Sequence, residues 1–397
     1  MLFTLEALDA RQGDALLLHF GETRQPRLVL IDGGPGSSTW NERLRARLAK
    51  IRSAVTPSPA DALVLDLLMV SHIDDDHIGG VLAMTRVMQE AREEQTPAPF
   101  DILGLWHNAF EDLVGDPAAP AALAAAAGRP ASASSASIAA GLSGTGKGAA
   151  VVASIDQGRR LRDDARALAL RVNAGFRGPV RRLTRGPRTI DMGAGLEIQV
   201  IGPSNRRLNE LQAEWNEVLA KRPSVDPATF RARVAAFTDS SVANLASIIV
   251  IAKANGHTML LTGDARGDDI LEALEESDLL AGGRVHFDIF KVPHHGSEHN
   301  VTTAFFEAVT ADHYVISANG RHGNPDPAML EMLVAARGQA EYEIHLTNRV
   351  DDAVSLLSAR KRSHRFATDI RRRDLPSVRI ELDEPLPRGM LPSRITS

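Results

Sequence analysis

Short apolar runs alternate with segments of helical periodicity along the chain. Apolar runs at 3–8 and 15–20 flank a short turn, and a third run at 28–31 ends in the Asp-Gly-Gly-Pro turn at 32–35. Runs of this length between turn residues are typical of strands. Residues 41–51 instead carry apolar side chains at helical spacing, which predicts a helix.

The second half of the chain repeats this alternation, and Asn255-Gly256 gives the strongest short-range hairpin signal. Further strands are predicted at 63–70, 102–105, 196–201, 246–252, 258–261, 287–292, 314–317 and 342–346, and further helices at 81–94, 151–172, 206–220, 269–280 and 327–336. Because strands and helices alternate in both halves, we expect a layered α/β sandwich rather than a helical bundle or an all-β barrel.

Composition restricts the chemistry more than the fold. Of the 397 residues, 44% are apolar and 24% are charged, which is normal for a globular protein. The net charge of −5 gives no whole-chain reason to expect nucleic-acid binding. Because the chain has no cysteine, any metal site must use histidine, aspartate and glutamate.

We expect a single domain over 1–358. It contains a low-complexity insertion at 116–150, which is almost entirely Ala, Gly, Ser and Pro, and a basic C-terminal extension follows at 359–397. The N-terminus lacks a basic start followed by an apolar stretch, so no signal peptide is predicted. No apolar run approaches the ~20 residues of a membrane span. We therefore expect a cytoplasmic protein without membrane contact.

The central chemical signal is the hexapeptide His72–His77, which reads His-Ile-Asp-Asp-Asp-His. It follows a predicted strand, and His72, Asp74 and Asp76 can point the same way from an extended turn. Two imidazoles and several carboxylates within six residues suit borderline-to-hard divalent metals. Taken alone, the same residues also fit a solvated acidic loop or a calcium loop.

Two later segments favour a metal site. Thr262-Gly263-Asp264 places a carboxylate at a strand end, where a helix N-cap is the alternative role. The segment Pro293-His294-His295-Gly296-Ser297 places paired imidazoles at another strand end. Three strand ends that finish in ligand-type residues imply ligands converging along one edge of a sheet.

The joint order of these motifs resembles the metallo-β-lactamase superfamily. The motifs are Asp32-Gly-Gly, then His-x-Asp-x-Asp-His-x-Gly-Gly from His72, then Thr-Gly-Asp, then His-His-Gly-Ser. More narrowly, "LVLIDGGP", "KVPHHGSEHN" and "HYVISANGRHGNPDP" are similar to the hydrolase domain of competence-type DNA-uptake proteins (ComEC-like). The resemblance covers residues 1–110 and 240–350.

The resemblance implies a four-layer αβ/βα sandwich with one or two divalent ions, Zn²⁺ before Mn²⁺. It implies that His72 and Asp74 hold a first ion, with Asp74 where many members have a second histidine. Asp76 and His77 would hold a second ion, and Asp264 would bridge both. The full set of candidate metal ligands is His72, Asp74, Asp76, His77, His107, Asp264, His294 and His295.

The resemblance also implies that one of His294 and His295 is a ligand while the other contacts substrate or donates a proton. It does not say which. We take Asp76, His294 and His295 as the catalytic candidates. Asp32 would orient a ligand or a water, and Asp14 either faces the site or serves its turn.

Two further histidines are left open. His107, after the strand predicted at 102–105, either fills a ligand place between the first motif and Asp264 or is simply packed. The related group often has Gly-His-Pro where this chain has Gly323-Asn324-Pro325. His322 either substitutes for that histidine or the contact is lost.

A divalent ion in such a site can lower the pKa of bound water to about 7, and two ions roughly 3.5–4 Å apart can also neutralise a phosphate. We therefore expect a metal-dependent hydrolase that acts on a phosphoester, with DNA or RNA as candidate substrates. Basic segments at 181–188 and 361–373 either bind a phosphate backbone or form a solvated surface. A small-molecule ester, phosphoester or lactam hydrolase and a non-enzymatic metal-stabilised module are the alternatives. The oligomeric state stays open.

Overall fold

Two mixed β-sheets stacked face to face form the centre of the molecule. The computed structural model describes residues 1–116, 118–127, 129–130, 146–183, 186–221, 226, 229 and 246–395. The strands are β1 (Leu2–Leu8), β2 (Leu16–Glu22), β3 (Gln25–Ile31), β4 (Leu63–Leu65), β5 (Leu67–Met69), β6 (Phe100–Ile102), β7 (Leu105–Trp106), β8 (Arg188–Gly193), β9 (Leu196–Gly202), β10 (Ile249–Ala254), β11 (His257–Leu261), β12 (Val285–Lys291), β13 (Val309–Ile316), β14 (Tyr342–Leu346), β15 (Phe366–Ile370) and β16 (Ser377–Glu381).

Helices cover the outer faces of both sheets. The α-helices are α1 (Gly36–Thr39), α2 (Arg45–Val55), α3 (Asp75–Glu93), α4 (Phe110–Leu113), α5 (Ala119–Ala126), α6 (Gly146–Ala167), α7 (Asn205–Ala220), α8 (Gly267–Glu275), α9 (Thr303–Ala308), α10 (Pro327–Arg337) and α11 (Asp351–Arg360). A π-helical turn, Trp40–Leu44, joins α1 to α2. Single 3-10 turns lie at Pro293–Gly296, Glu298–Asn300, Arg321–Gly323 and Arg388–Met390.

Each sheet combines antiparallel and parallel strands. The first has the order β16-β1-β2-β3-β5-β7, and the second has the order β15-β14-β13-β12-β11-β10-β9-β8. Strands β3, β5 and β7 run parallel, as do β11 through β15. The carboxyl ends of each parallel set therefore lie together at one edge of their sheet.

The alternation of side chains along the strands explains the layers. In β2, Leu16 and Leu18 pack into a core formed between the two sheets, while Leu17 packs against the helices outside. Successive strand residues face opposite sides of the sheet. A strand that is apolar at both odd and even positions must therefore be covered on both faces. A second outer core lies between the other sheet and helices α8 to α11. The order is helix, sheet, sheet, helix, which confirms the predicted αβ/βα sandwich.

The predicted hairpin at Asn255-Gly256 is confirmed. Strands β10 and β11 pair antiparallel with Ala254 opposite His257. Both turn residues have positive φ, 54° for Asn255 and 84° for Gly256. A two-residue loop of this kind requires φ > 0 at both positions, which explains why asparagine and glycine occupy them.

The predicted strand at 63–70 is divided in two. Strand β4 pairs with β6 in a separate two-stranded sheet, whereas β5 joins the first large sheet. Asp66 lies at the break, where its carboxylate accepts from the backbone N–H of Leu28 (3.2 Å) and from Nε of Arg27 (2.9 Å). These bonds hold the one buried carboxylate of an otherwise apolar run.

The C-terminal segment 359–397 is built into both sheets. Strand β15 pairs in parallel with β14, and β16 pairs antiparallel with β1. The structure therefore differs from an appended extension, because this segment supplies one edge strand to each sheet. Much of the predicted insertion at 116–150, including 131–145, lies outside the described residues. Within the described part of the chain, no helix is long and apolar enough to cross a membrane.

Candidate metal centre

The candidate ligands lie where parallel strands end. Asp32 follows β3 and His72 follows β5 within the first sheet, while Asp264 follows β11 and His295 follows β12 within the second. Because β11 and β12 run parallel, their carboxyl ends meet at one edge. The two sheets are stacked, so residues from both edges converge on one point.

Helix α3 delivers the rest of the hexapeptide. It begins at Asp75, six residues before the predicted start, so that His77 lies in its first turn. Asp74 occupies the N-cap position but its side chain makes no capping hydrogen bond. A Cβ on Gly80 would lie 1.9 Å from the carbonyl oxygen of Gly33. The glycines therefore allow the helix to lie directly against the turn that carries Asp32.

Four buried side chains form the centre of the cluster. Donor atoms of Asp14, His77, Asp264 and His295 all lie within 4.8 Å of one another. Nε2 of His77 is 3.3 Å from Nε2 of His295 and 3.2 Å from Oδ1 of Asp264. Nε2 of His295 is 3.5 Å from Oδ2 of Asp264. Ligands at 2.0–2.1 Å around a tetrahedral ion lie roughly 3.3 Å apart, which is the spacing seen here.

The remaining members of the hexapeptide adjoin this centre. His72, Asp76 and His77 form a second group of donors within 4.8 Å of one another. Nε2 of His72 is 3.8 Å from both Asp74 and Oδ2 of Asp264. Oδ2 of Asp76 is 3.5 Å from Nε2 of His295. Asp264 thus lies between His72 on one side and His77 and His295 on the other, so its carboxylate would be placed to hold a metal ion.

Neighbouring groups fix which ring nitrogen faces the centre. Nδ1 of His77 donates to Oδ2 of Asp32 (2.8 Å), and Nδ1 of His295 donates to the carbonyl oxygen of Ser317 (3.0 Å). Asp32 is itself held by the backbone N–H and the hydroxyl of Ser71, both at 2.7 Å. Such partners orient an imidazole and leave Nε2 as its ligand atom.

The two adjacent histidines share a strained backbone but differ in burial. His294 has φ 47° and His295 has φ 54°, so both adopt the left-handed conformation that side chains other than glycine rarely adopt. Such residues cost on the order of 1–3 kcal/mol each and cluster at functional sites. The result is that His295 is buried in the cluster, whereas 33% of the His294 side chain is exposed at its mouth.

Electrostatics favour positive charge between these residues. Burial lowers the pKa of His77, but the charges of Asp264 and Asp32 outweigh it and raise that pKa well above its ordinary value. Against the same burial, the charge of Asp264 and its hydrogen bond raise the pKa of His295 to about 10. Burial would raise the pKa of Asp264, yet His295 and His77 hold it well below its ordinary value. A bound cation supplies the same positive charge.

Three buried atoms of the cluster have no hydrogen-bond partner, which fits a metal ion. They are Oδ1 of Asp14, Oδ1 of Asp264 and Nε2 of His72. Buried polar atoms are nearly always paired, because an unpaired one carries its full desolvation cost. All three present lone pairs, and nitrogen and oxygen donors together suit Zn²⁺ and Mn²⁺. The residues present therefore fit a divalent ion.

Lys291 is a functional neighbour that the sequence pattern does not reveal. It ends β12 in full burial, and its Nζ forms an ion pair of 2.8 Å with Oδ2 of Asp14. Burial raises the pKa of Asp14, but Lys291 and His295 outweigh it and lower the pKa below its ordinary value. Asp14 thus faces the site, held ionised. The only sequence signal that could have pointed to Lys291 was the presence of a lysine inside the apolar run 287–292.

His107 and His322 lie apart from both donor groups. The backbone N–H of His107 donates to Oδ1 of Asn173 (3.0 Å), and burial with the charge of Arg162 lowers the His107 pKa to about 4. Among the described residues neither histidine belongs to a group with the hexapeptide, so a ligand role for His107 stays a prediction. His322 is exposed, while Nδ2 of Asn324 donates to the carbonyl of His294 (3.3 Å).

No family model matches the chain, and no curated protein matches it. Among solved structures, the chain is similar to the metallo-beta-lactamase fold protein YhfI from Bacillus subtilis, at 11% identity and a TM-score of 0.38, over 95% of this chain and 99% of that one.

Proposed function

We propose that the protein is a metal-dependent hydrolase of the metallo-β-lactamase superfamily that cleaves phosphodiesters. One observation carries the metal-dependent part. Imidazole and carboxylate donors from both sheets and from α3 meet at ligand spacing, and three of their buried lone-pair atoms have no partner. A bound divalent ion supplies an activated water and neutralises charge on a phosphate.

The donor groups assign residues to one or two ions. Asp76, His77 and His295, with Asp264, would hold one ion, since these side chains surround a common point. His72 and Asp74 lie on the other side of Asp264 and would hold the second. Asp14 and Lys291 form the buried base of the site.

His294 is assigned to substrate rather than to metal. Its Nδ1 pairs with Oδ1 of Asn300 at 2.7 Å, and Nδ2 of Asn300 donates to the carbonyl oxygen of Asp264 (3.2 Å). Asn300 therefore fixes the ring and turns Nε2 toward the mouth of the site, 3.8 Å from Oδ2 of Asp264. From this position, Nε2 can bind a phosphate oxygen or donate a proton to the leaving group.

The choice of a phosphodiester rests on the ComEC-like motifs and on the carboxylate-rich donor set. The two basic segments give less support for binding a phosphate backbone than their sequence suggests. Arg182 pairs with Glu276 (2.7 Å) and Arg371 pairs with Asp9 (2.9 Å), so both serve the fold. Arg188 is exposed and remains available for a phosphate backbone, while Arg185 lies outside the described residues.

A substrate panel tests the proposal. Metal-stripped protein would be reloaded with Zn²⁺ or Mn²⁺ and assayed on a chromogenic phosphodiester, single- and double-stranded DNA, RNA, a carboxylic ester and a lactam. We expect metal-dependent cleavage of phosphodiesters, with Mn²⁺ accepted because Asp74 adds oxygen character to the site.

Each other outcome has a definite meaning. Cleavage that survives in an Asp76→Ala, His77→Ala double variant identifies a contaminant. Turnover of only the ester or the lactam replaces the phosphodiesterase with a small-molecule hydrolase. Bound metal without turnover on any substrate favours a metal-stabilised interaction module.

A further inference from the structure

A second group of metal-type ligands lies on the sheet away from the candidate centre. His313 on β13 and Glu343 and His345 on β14 have donor atoms within 4.8 Å of one another. Parallel pairing places His313 opposite Glu343, and His345 two residues further along the strand. Their sequence neighbours Tyr314, Ile344 and Leu346 pack under the outer helices, so the three ligand-type residues face the opposite side of the sheet.

The spacing of the three donor atoms matches a tetrahedral ion. Nδ1 of His313 is 3.0 Å from Nε2 of His345, and Oε2 of Glu343 is 3.7 Å and 3.6 Å from those two nitrogens. These values bracket the roughly 3.3 Å between ligands around Zn²⁺. Two imidazoles and one carboxylate also form a donor set that Zn²⁺ accepts.

A carboxylate behind the cluster orients one of its ligands. Oδ2 of Asp369 on β15 is 3.2 Å from Nδ1 of His345, which leaves Nε2 of that ring facing His313 and Glu343. This is the carboxylate–histidine arrangement that usually supports a metal ligand. The His345 side chain is only 4% exposed, so its orientation is fixed by the sheet.

The cluster is open to solvent on one side. The side chains of His313 and Glu343 are 28% and 33% exposed, which provides a path for an ion and a place for a water as fourth ligand. Ser317, whose carbonyl contacts the candidate centre, lies four positions after His313 and just beyond the end of β13, which at the rise of an extended strand is roughly 13 Å along the chain. The second cluster is therefore a separate site on the same sheet.

We propose that His313, Glu343 and His345 form a second Zn²⁺ site that ties β13 to β14, independent of the hydrolytic centre. The bonds that it would add cross two parallel strands near the edge of the sheet. Its role is to stabilise this edge rather than to bind substrate. It predicts one zinc equivalent beyond those held by the hydrolytic centre.

Zinc binding by the full-length chain tests this proposal. The metal-free wild type and a His313→Gln, Glu343→Gln variant would be compared by equilibrium dialysis and by competition with a chromophoric chelator. We expect the variant to bind one equivalent less, to lose most of the zinc-induced rise in Tm, and to keep its hydrolytic activity. Glu341→Gln is the matched control, since it makes the same change at an exposed position two residues earlier and should behave as wild type.

Two more variants separate this site from the proposed function. In an Asp264→Asn background, which impairs the hydrolytic centre, the second site should still bind one zinc. Asp369→Asn should weaken that binding about 10- to 100-fold, as is usual when a partner of a ligand is lost. Equal zinc stoichiometry in wild type and the His313→Gln, Glu343→Gln variant would overturn the proposal. That result would mean that the cluster is only a hydrogen bond between its two histidines, and this conclusion would not depend on the substrate assays.

Discussion

Two clusters of buried charge contact the first sheet, and they differ in how completely their carboxylates are paired. On its outer face, Glu6 accepts from Nε and Nη2 of Arg47 (2.7 and 2.8 Å), from the hydroxyl of Ser377 (2.6 Å) and from Nε2 of His19 (3.0 Å). At the carboxyl ends of the strands, Asp264 and Asp14 each keep one oxygen without a partner.

This difference in pairing distinguishes a charged cluster that stabilises the fold from one that can bind a ligand. A carboxylate whose oxygens both accept hydrogen bonds from fixed donors has no capacity left for a ligand. Removing it leaves the partner charge buried and unpaired. A carboxylate with a free buried oxygen is costly to the fold unless something else binds there. Three substitutions and one change of pH test this contrast, with expected effects that decrease from Glu6→Gln to the dependence on pH.

The largest effect is expected from Glu6→Gln. The change leaves the fully buried guanidinium of Arg47 without its counter-charge, so we expect the free energy of unfolding to fall by about 3–5 kcal/mol in chemical denaturation. Glu22→Gln, at the exposed end of β2, is the matched control and should be neutral. A loss below about 1 kcal/mol would show that Arg47 is stabilised by other groups.

The second-largest effect is expected from Asp264→Asn, in the cluster at the carboxyl ends of the strands. The substitution removes the carboxylate that reaches histidines on both sides. We expect metal affinity and hydrolysis to fall by more than about 100-fold, because even groups that only contact a ligand typically contribute 10- to 100-fold. Asp75→Asn is the control, since Asp75 belongs to the same hexapeptide but is exposed. Equal losses in both variants would contradict the assignment of the ligands.

A smaller effect is expected from Asp32→Asn. Asparagine tolerates the left-handed backbone at this position, where φ is 59°, so the turn should be kept. The charged partner of His77 is lost, and we expect metal affinity to fall about 10- to 100-fold with little change in unfolding by heat of the metal-free form. Unchanged metal affinity would show that the helix alone orients His77.

The smallest effect is a dependence on pH. Burial opposes the ionised form of Glu6, but Arg47 and His19 outweigh it and hold the Glu6 pKa below its ordinary value of 4.5. The stabilisation is therefore fully present above 4.5 and is lost as the pH falls toward the folded pKa. Below pH 4.5, the difference in unfolding free energy between wild type and Glu6→Gln should shrink by about 1.4 kcal/mol per pH unit. A constant difference from pH 6 to pH 3.5 would contradict this pairing.

The convergence of the site could be predicted because it follows from strand direction. Ligand-type residues after β5, β11 and β12 meet once these strands run parallel to their neighbours, and each carries its signal in adjacent sequence positions. A layered α/β sandwich could also be predicted, because strands and helices alternate in both halves of the chain. The four-layer order was implied by the family resemblance.

Other features depend on contacts between distant segments. The different burial of His294 and His295 goes with two successive positive φ angles, which no residue pattern predicts. Helix α3 begins six residues before the predicted start, where Gly80 lies directly against Gly33 from a distant turn. Lys291 is hidden in an apolar strand because its partner, Asp14, comes from a turn far away in sequence.

The pairing of β1 with β16 has a consequence for how the chain acquires its structure. The hydroxyl of Ser377 reaches Glu6 across 371 positions, so β1 finds this neighbouring strand only after the residues between them have been made. Contacts this distant are slow to form, and a nascent chain exposes unpaired strand edges until they do. We expect ribosome-bound chains that stop before Phe366 to be cut readily by protease, and resistance to appear only when β16 has left the ribosome. Chaperone demand should therefore persist until β16 has been made and has paired with β1.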